Sequence, residues 1–495
     1  MKVGARRLVA MLWRRRPAPQ ASPPLPGAYR LPPRNPHFTG RDGHLDGIRA
    51  GLTAGRPVTI AALSGLGGVG KTELAAEYAY RFGDDYDIVW WVDAERPTLV
   101  PDQLGQLAEA LGLASPDDLR QRHRWLLVFD NAERVADITD NLPGGTGHVL
   151  VTSRTVGWGA LGGVVDIDVL PRPDSVALLC RRVPGLALET AAGIAESLGD
   201  LPLALDVAGA FLGRTGLPPE DYLKTLRESA EAPLSRGRVA GHQHTVATVL
   251  AISSTTIADE HPAAAALLRL CAFLGPEPIP LDLFTRDPSA LPAFLAQADL
   301  AEAVGVLAAY SLVSYRPEGL VVHRLVQAAT RHDLDPVTRT ATAEAAVDLL
   351  RTDLPAPGSG SPHDWPRWRQ LLPHVLAAVT HVQTGPGLVQ LLSRAGVYLR
   401  LHGPRGAALP LLRRALFVDE ARYGPDHVEA ARRRQELAVV LYEVDEPAAA
   451  RDLLERSLAI HRAALGDDHP VVASTLNMLG LTLTALSETP PKGVR

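Results

Sequence analysis

Gly65-Leu66-Gly67-Gly68-Val69-Gly70-Lys71-Thr72 has the residue types and spacing that hold a polyphosphate. The glycines let the backbone curl until several N–H groups point at one spot, and a helix predicted over Glu73–Arg81 adds its positive N-terminal end. Lys71 would reach the outer phosphates as a point charge. The Thr72 hydroxyl would take one position on a Mg²⁺ ion. A second candidate metal-side group is Asp130, which closes the apolar run Trp125-Leu126-Leu127-Val128-Phe129. Without a phosphate loop upstream, such an acid would read as a turn or helix cap. A third is Arg154, at the end of Val-Thr-Ser-Arg, placed to approach a terminal phosphate from the side opposite Lys71.

Positioning these groups requires strands that end together. The run Val58–Leu63 reads as the strand that delivers the loop, and Asp87–Asp93, Arg124–Asp130 and His148–Arg154 read as further strands, with a helix over Leu99–Leu111. Near-continuous apolar runs fit parallel strands covered by helices on both faces, with ligands at the carboxyl ends. Downstream, Asp174–Arg182, Leu188–Leu198 and Pro202–Leu212 show helical spacing. His261–Phe273 and Leu281–Phe284 open a region that contains the strand pair Ser311–Tyr315 and Leu320–Val322.

Composition bounds the class. At 495 residues and 46% hydrophobic content, the chain should form about three domains with ordinary cores. A formal net charge of −5 gives no overall attraction to nucleic acid. Cys180 and Cys271 have no metal-ligand spacing and read as buried thiols of a reducing cytoplasm. No stretch has the length of about 18 consecutive apolar residues expected of a transmembrane segment. Basic residues from Lys2 to Arg16 flank the short apolar stretch Leu8–Trp13, which is too short for a secretory signal. Residues 1–36 therefore read as a basic, proline-rich disordered tail, with contact to anionic lipid as the alternative.

The order of these segments resembles the NB-ARC family of signal-transduction ATPases, the STAND class. Phe38-Thr39-Gly40-Arg41-Asp42 is similar to the family motif that supplies chain near the adenine, with Asp42 where Glu is usual. Leu198–Leu205 is similar to the Gly-Leu-Pro-Leu segment, which implies that Pro202 packs against the nucleoside. Val322-His323-Arg324-Leu325 matches the Met-His-Asp position, so the resemblance gives His323 contact with the β-phosphate of ADP, with the Met and Asp replaced. Read without the family, Pro202 is a helix start and His323 a core or surface imidazole. Many members carry a second acid after the strand, where this chain has Asn131. An amide cannot accept the water's proton but can hold the water, which leaves slow Mg²⁺-dependent hydrolysis open, with Glu133 a substitute if the turn brings it round.

The C-terminal fifth repeats itself. Ala408–Leu416 corresponds to Ala450–Leu458, and Gly424–His427 to Gly466–His469, each offset by 42 positions. The pattern resembles the long tetratricopeptide repeats of kinesin light chains, with Ala415, Ala438 and Gly480 as small residues for close helix approach. Arg432–Arg434 read as a solvated helix face, Trp365 and Trp368 as core of a connector, and Pro355–Pro362 as a loop about which the repeats move.

The implied fold class is an α/β P-loop NTPase core with a parallel sheet, followed by a helical domain, a winged helix and all-α repeats. The boundaries are 1–36 tail, 37–170 nucleotide-binding domain, 171–240 helical domain, 241–335 winged helix, 336–385 connector and 386–488 repeats. Expected ligands are ATP or ADP with Mg²⁺, held by Gly65, Gly67, Gly68, Val69, Gly70, Lys71, Thr72, Glu73, Phe38, Arg41, Pro202 and His323. Asp130, Asn131 and Arg154 act at the reacting end, with Thr72 and Asp130 on the metal. The expected function is a cytoplasmic switch in which ADP favours the compact state and ATP opens it for assembly or for a protein or peptide held by the repeats. A non-hydrolysing adaptor and a transcriptional regulator working through a separate DNA-binding partner are the alternatives. Direct nucleic-acid binding is not expected, because no dense basic recognition helix accompanies the winged helix.

Overall fold

Strands buried on both faces define the first module. The computed structural model describes residues 29–53, 59–65, 67–155, 157–231, 242–316, 318–355 and 364–488. Strands β1 (Tyr29–Arg30), β2 (Thr59–Ser64), β3 (Ile88–Asp93), β4 (Trp125–Asp130), β5 (His148–Ser153) and β6 (Gly163–Asp166) form one parallel sheet in the order β1-β3-β4-β5-β2-β6. Every residue of β4 is buried, which is why its sequence does not alternate. Leu126 and Val128 face the side covered by α1 (Asp42–Leu52) and α2 (Lys71–Arg81). Leu127 and Phe129 face α3 (Val100–Leu111) on the other.

The sheet begins earlier than the sequence suggests. Tyr29–Arg30 pairs with Val89–Trp90, the Tyr29 hydroxyl donates to the carbonyls of Gly83 and Tyr86, and Arg34 forms an ion pair with Glu77. Residues 29–36 therefore pack along the edge of the sheet module and do not form a disordered tail. The basic segment at residues 2–16 lies outside the described residues, as does most of the loop Pro355–Pro362.

Four helices follow: α4 (Arg172–Arg182), α5 (Leu188–Ser197), α6 (Pro202–Thr215) and α7 (Pro219–Glu231). Next come α8 (His242–Glu260), α9 (Pro262–Cys271), α10 (Leu300–Ala309), the antiparallel hairpin β7 (Val313–Arg316) and β8 (Gly319–Val322), and α11 (Arg324–Asp333), the order of a winged helix. Gln327 Nε2 donates to the carbonyls of Cys271 and Leu274 at 3.0 Å each, so α11 satisfies the end of α9. Cys271 is buried, and burial pushes its thiol up to about 12.

Helices α12 (Pro336–Asp353) and α13 (Trp365–Ala378) connect to the repeats. Trp368 is buried and stacks on Tyr398, whereas Trp365 is 41% exposed and is not core. The repeats comprise α14 (Pro386–His402), α15 (Leu409–Tyr423), α16 (Val428–Glu443), α17 (Pro447–Leu465) and α18 (Pro470–Glu488). Their first helices start at 386, 428 and 470, a period of 42.

Two expectations here are corrected. Arg433 and Arg434 are buried, not solvated, because the face that carries them turns toward α15: Arg433 pairs with Asp419 and Arg434 with Glu420. A Cβ on Gly480 would meet open space, while one on Gly396 would lie 2.6 Å from the Leu412 side chain, so Gly396 makes the close approach. Helix α18 is long and apolar enough, by length and composition alone, to cross a membrane. It packs on α17 as the last described repeat helix.

Candidate functional site

The loop after β2 adopts the curled backbone that its glycines permit. Gly65 has φ 153°, and a Cβ there would stand 2.2 Å from the Ile167 carbonyl oxygen. Gly68 has φ 81°, and a Cβ would stand 2.9 Å from Leu325 Cδ1 and 3.6 Å from the Leu201 side chain. Neither position accepts a side chain without strain. Val69 is buried and anchors the loop, Gly67 faces Leu325, and Gly70 precedes α2 with φ 91°.

Three helices start at this loop. Helix α2 begins at Lys71, α6 at Pro202 directly after Leu201, and α11 at Arg324 directly before Leu325. Each helix start carries a partial positive charge of roughly half a unit, so the sheet, the helical module and the winged helix all turn a positive end to one place.

The side chains match that geometry. Lys71 is buried and its Nζ donates to the Gly65 carbonyl at 2.6 Å. Burial, with Arg324 and Arg154 nearby, pushes its ammonium down to about 8. Thr72 Oγ1 donates to Asp130 Oδ1 at 2.8 Å, and Thr152 Oγ1 donates to the same oxygen at 2.5 Å. Burial raises the Asp130 carboxyl above its ordinary range, and the two hydroxyls oppose that shift. A hydroxyl and a carboxylate this close at strand and helix ends fit a hard divalent cation such as Mg²⁺. Glycines that leave no room for a Cβ fit the phosphates.

Asn131 takes a left-handed backbone, φ 61°, which Asn tolerates, and its N–H donates to Thr152 Oγ1 at 2.9 Å. Arg154 forms an exposed 3.0 Å ion pair with Glu133, so the turn brings Glu133 to the arginine. Both belong to the rim rather than the floor of the site. Burial raises the Glu73 carboxyl, and a hydrogen bond with Asn35 opposes the shift. Arg41 is buried, donates from Nη2 to the Asp168 carbonyl at 2.7 Å, and has Nη1 beside Gly70 without a hydrogen-bond partner among the described residues. Phe38 packs on the core beneath the Arg81 guanidinium.

His323 caps α11, its Nδ1 accepting the Leu325 N–H at 3.2 Å. Its ring is open to solvent, yet protein surrounds it closely enough that burial, Arg324 and Lys71 push its pKa down to about 4. That combination describes a wall of a deep cleft. The ring is neutral at pH 7, and with Nδ1 accepting, Nε2 carries the proton and can donate.

Sequence reasoning missed five contributors. Asp93 lies opposite Asp130 in the strand register, and burial with Glu277 nearby holds its carboxyl far above the usual range. Leu201 and Leu325 cover the loop, and Arg324 and Arg316 add charge to it. The one available signal was that Arg324 and Leu325 directly follow His323.

Fold and site together define a P-loop NTPase module joined to a helical repeat array. A family profile described as tetratricopeptide repeat matches residues 388–463 and 434–490, and one described as a domain of unknown function, DUF7779, matches 255–339. A nucleotide-binding leucine-rich repeat (NLR)-like protein of Hyaloscypha variabilis is 26% identical over 64% of this chain and 37% of its own length. Regulatory protein AfsR of Streptomyces griseus is 34% identical, and that of Streptomyces coelicolor 31%, each over 37% of this chain and 22% of the relative. The chain thus spans between about a fifth and two fifths of the curated relatives it matches. A Signal Transduction ATPase with Numerous Domains (STAND) protein with a tetratricopeptide repeat sensor, from Pyrococcus horikoshii, covers 94% of this chain. That match spans 73% of the neighbour, at a TM-score of 0.45 and 14% identity, a level that carries no functional weight. The chain thus carries C-terminal tetratricopeptide repeats behind its P-loop module, and about two thirds of it is similar to the NLR-like protein.

Proposed function

We propose that this chain is a signalling switch whose bound ATP or ADP, with Mg²⁺, sets how its modules dock. The observation that carries this reading is the meeting of three helix starts, from three modules, at one phosphate loop. A ligand there touches all three. Its terminal charge can shift their docking by as much as its affinity differs between the docked and undocked shapes. Lys71 and the glycine backbone would hold the phosphates, Thr72 and Asp130 the metal, and His323 would donate from Nε2 to a phosphate oxygen. The repeats would present a protein-binding or peptide-binding surface. The regulatory name of the two Streptomyces relatives favours, as a second reading, regulation through a separate DNA-binding partner. The test is mass spectrometry of the nucleotide that co-purifies, together with particle mass and protease pattern in ADP and in ATP. Bound adenine nucleotide with two distinct patterns is the expected result; no nucleotide, or one pattern throughout, rejects the switch.

Lys71 adds a pH signature. Its folded pKa of about 8 lies below the ordinary lysine value of 10.5. The charged form therefore weighs against the empty fold below pH 8, and this cost is relieved as pH rises through 8. A phosphate beside Lys71 restores the charge, so binding above pH 8 takes up a proton and affinity falls by up to about tenfold per pH unit until the ordinary value is reached. Calorimetric titration near pH 9 in two buffers of different ionisation enthalpy should report uptake approaching one proton. Heats independent of buffer would argue against this assignment.

A further inference from the structure

One guanidinium at the site has a buried nitrogen with no hydrogen-bond partner among the described residues. Arg324, the first residue of α11, is half-buried, and its Nη1 is fully buried without a hydrogen bond. A guanidinium nitrogen kept from water and left unpaired is costly to the fold. The charges around Arg324 locate it: Arg154 repels it, while Glu95, Asp130 and Asp93 attract it. Asp93 and Asp130 end neighbouring strands in register, and Asp130 meets Thr72. Arg324 therefore stands on the metal side of the loop, where a third phosphate projects beyond the second. Arg316, at the end of β7, is half-buried and acts on Asp130 from the same module. With Lys71 and Arg154 also in electrostatic reach, several cations converge on a place where no acid among the described residues forms an ion pair with Arg324.

We propose that Arg324 is a phosphate-reading residue that binds the terminal phosphate of a nucleoside triphosphate and so ties the winged helix to the α/β core in the triphosphate state. This rests on the nucleotide-switch reading and assigns its polarity, which is the reverse of the expectation that ADP is the compacting ligand. An acid at this position would repel a third phosphate; an arginine holds it with paired N–H donors in a fork. His323 and Arg324 then divide the work along α11, the imidazole donating to an inner phosphate and the guanidinium to the outer one.

The experiment measures Mg²⁺-ADP and Mg²⁺-ATPγS binding to the full chain and to Arg324→Ala, Arg324→Lys and Arg324→Asp, with hydrogen exchange of α11 in each state. We expect Arg324→Ala to weaken ATPγS roughly tenfold to a hundredfold and ADP less than about threefold. Arg324→Lys should recover part of the loss, and Arg324→Asp should lose the most. In the wild type, ATPγS should protect α11 more than ADP does, and Arg324→Ala should abolish that difference. Equal loss for both nucleotides, no loss, or greater protection by ADP would overturn the assignment. If the wild-type chain binds neither nucleotide, the switch reading itself fails, an outcome distinct from a wild type that binds both and a variant that does not discriminate.

Discussion

Lys71→Ala is expected to abolish tight nucleotide binding while leaving the empty protein folded. The ammonium is the single charge inside the loop, and a charge-assisted contact of this kind contributes about 3 kcal/mol, on the order of a hundredfold in Kd. The empty fold responds in the other direction. Burial and the nearby Arg324 and Arg154 already disfavour the charged lysine, and its bond to the Gly65 carbonyl is modest compensation. The variant should therefore melt at or slightly above the wild-type temperature without ligand and lose the upward shift that Mg²⁺-nucleotide gives the wild type. Calorimetric affinity and paired melting curves check both halves. Unchanged affinity would remove Lys71 from the site, and a large drop in the ligand-free melting temperature would mean that it acts through the fold.

How much of this was legible depends on how local each feature is. The phosphate loop is written in eight consecutive residues, and Asp130 ends a run whose apolar continuity comes from burial on both faces of β4. Their meeting follows from the parallel register, which alternating strands and helices make foreseeable. Short elements were not legible. Tyr29–Arg30 and Gly163–Asp166 have too few residues to show a period, and they become strands because a sheet edge is available beside them.

Docking was the other blind spot. Arg433 and Arg434 look like a polar helix face until α15 supplies Asp419 and Glu420 across the interface. A charge run shows its composition and not its neighbours. Arg324 is the same case at the site: nothing in Val-His-Arg-Leu says that α11 starts against Gly67 and Gly68. Arg154 shows the converse, since its place after β5 was readable while its ion pair with Glu133 depends on how the two turns fold.

That docking leads to the second large effect, expected from Leu325→Ala. Leu325 is buried, with its methyl groups against the two glycines of the loop and Leu201 beside the same spot. Truncation should cost about 2–3 kcal/mol of contact between the winged helix and the loop, at the low end of buried Leu→Ala values because one side of the contact is glycine backbone. The winged helix itself should stay folded, since Gln327 holds α11 to the end of α9 and Val326, not Leu325, is its fully buried neighbour. Hydrogen exchange should therefore speed up by roughly thirtyfold or more at residues 67–72 and in the first turn of α11, while β7, β8 and α9 keep their protection. Leu201→Ala should act in the same place, and the double variant should cost less than the two single changes together, because both side chains cover Gly68. Strict additivity would show that the two modules dock independently. Unchanged exchange in both single variants would show that apolar cover of the loop is not what holds the winged helix down, leaving the interdomain ion pair of Arg96 with Glu277 to carry that contact.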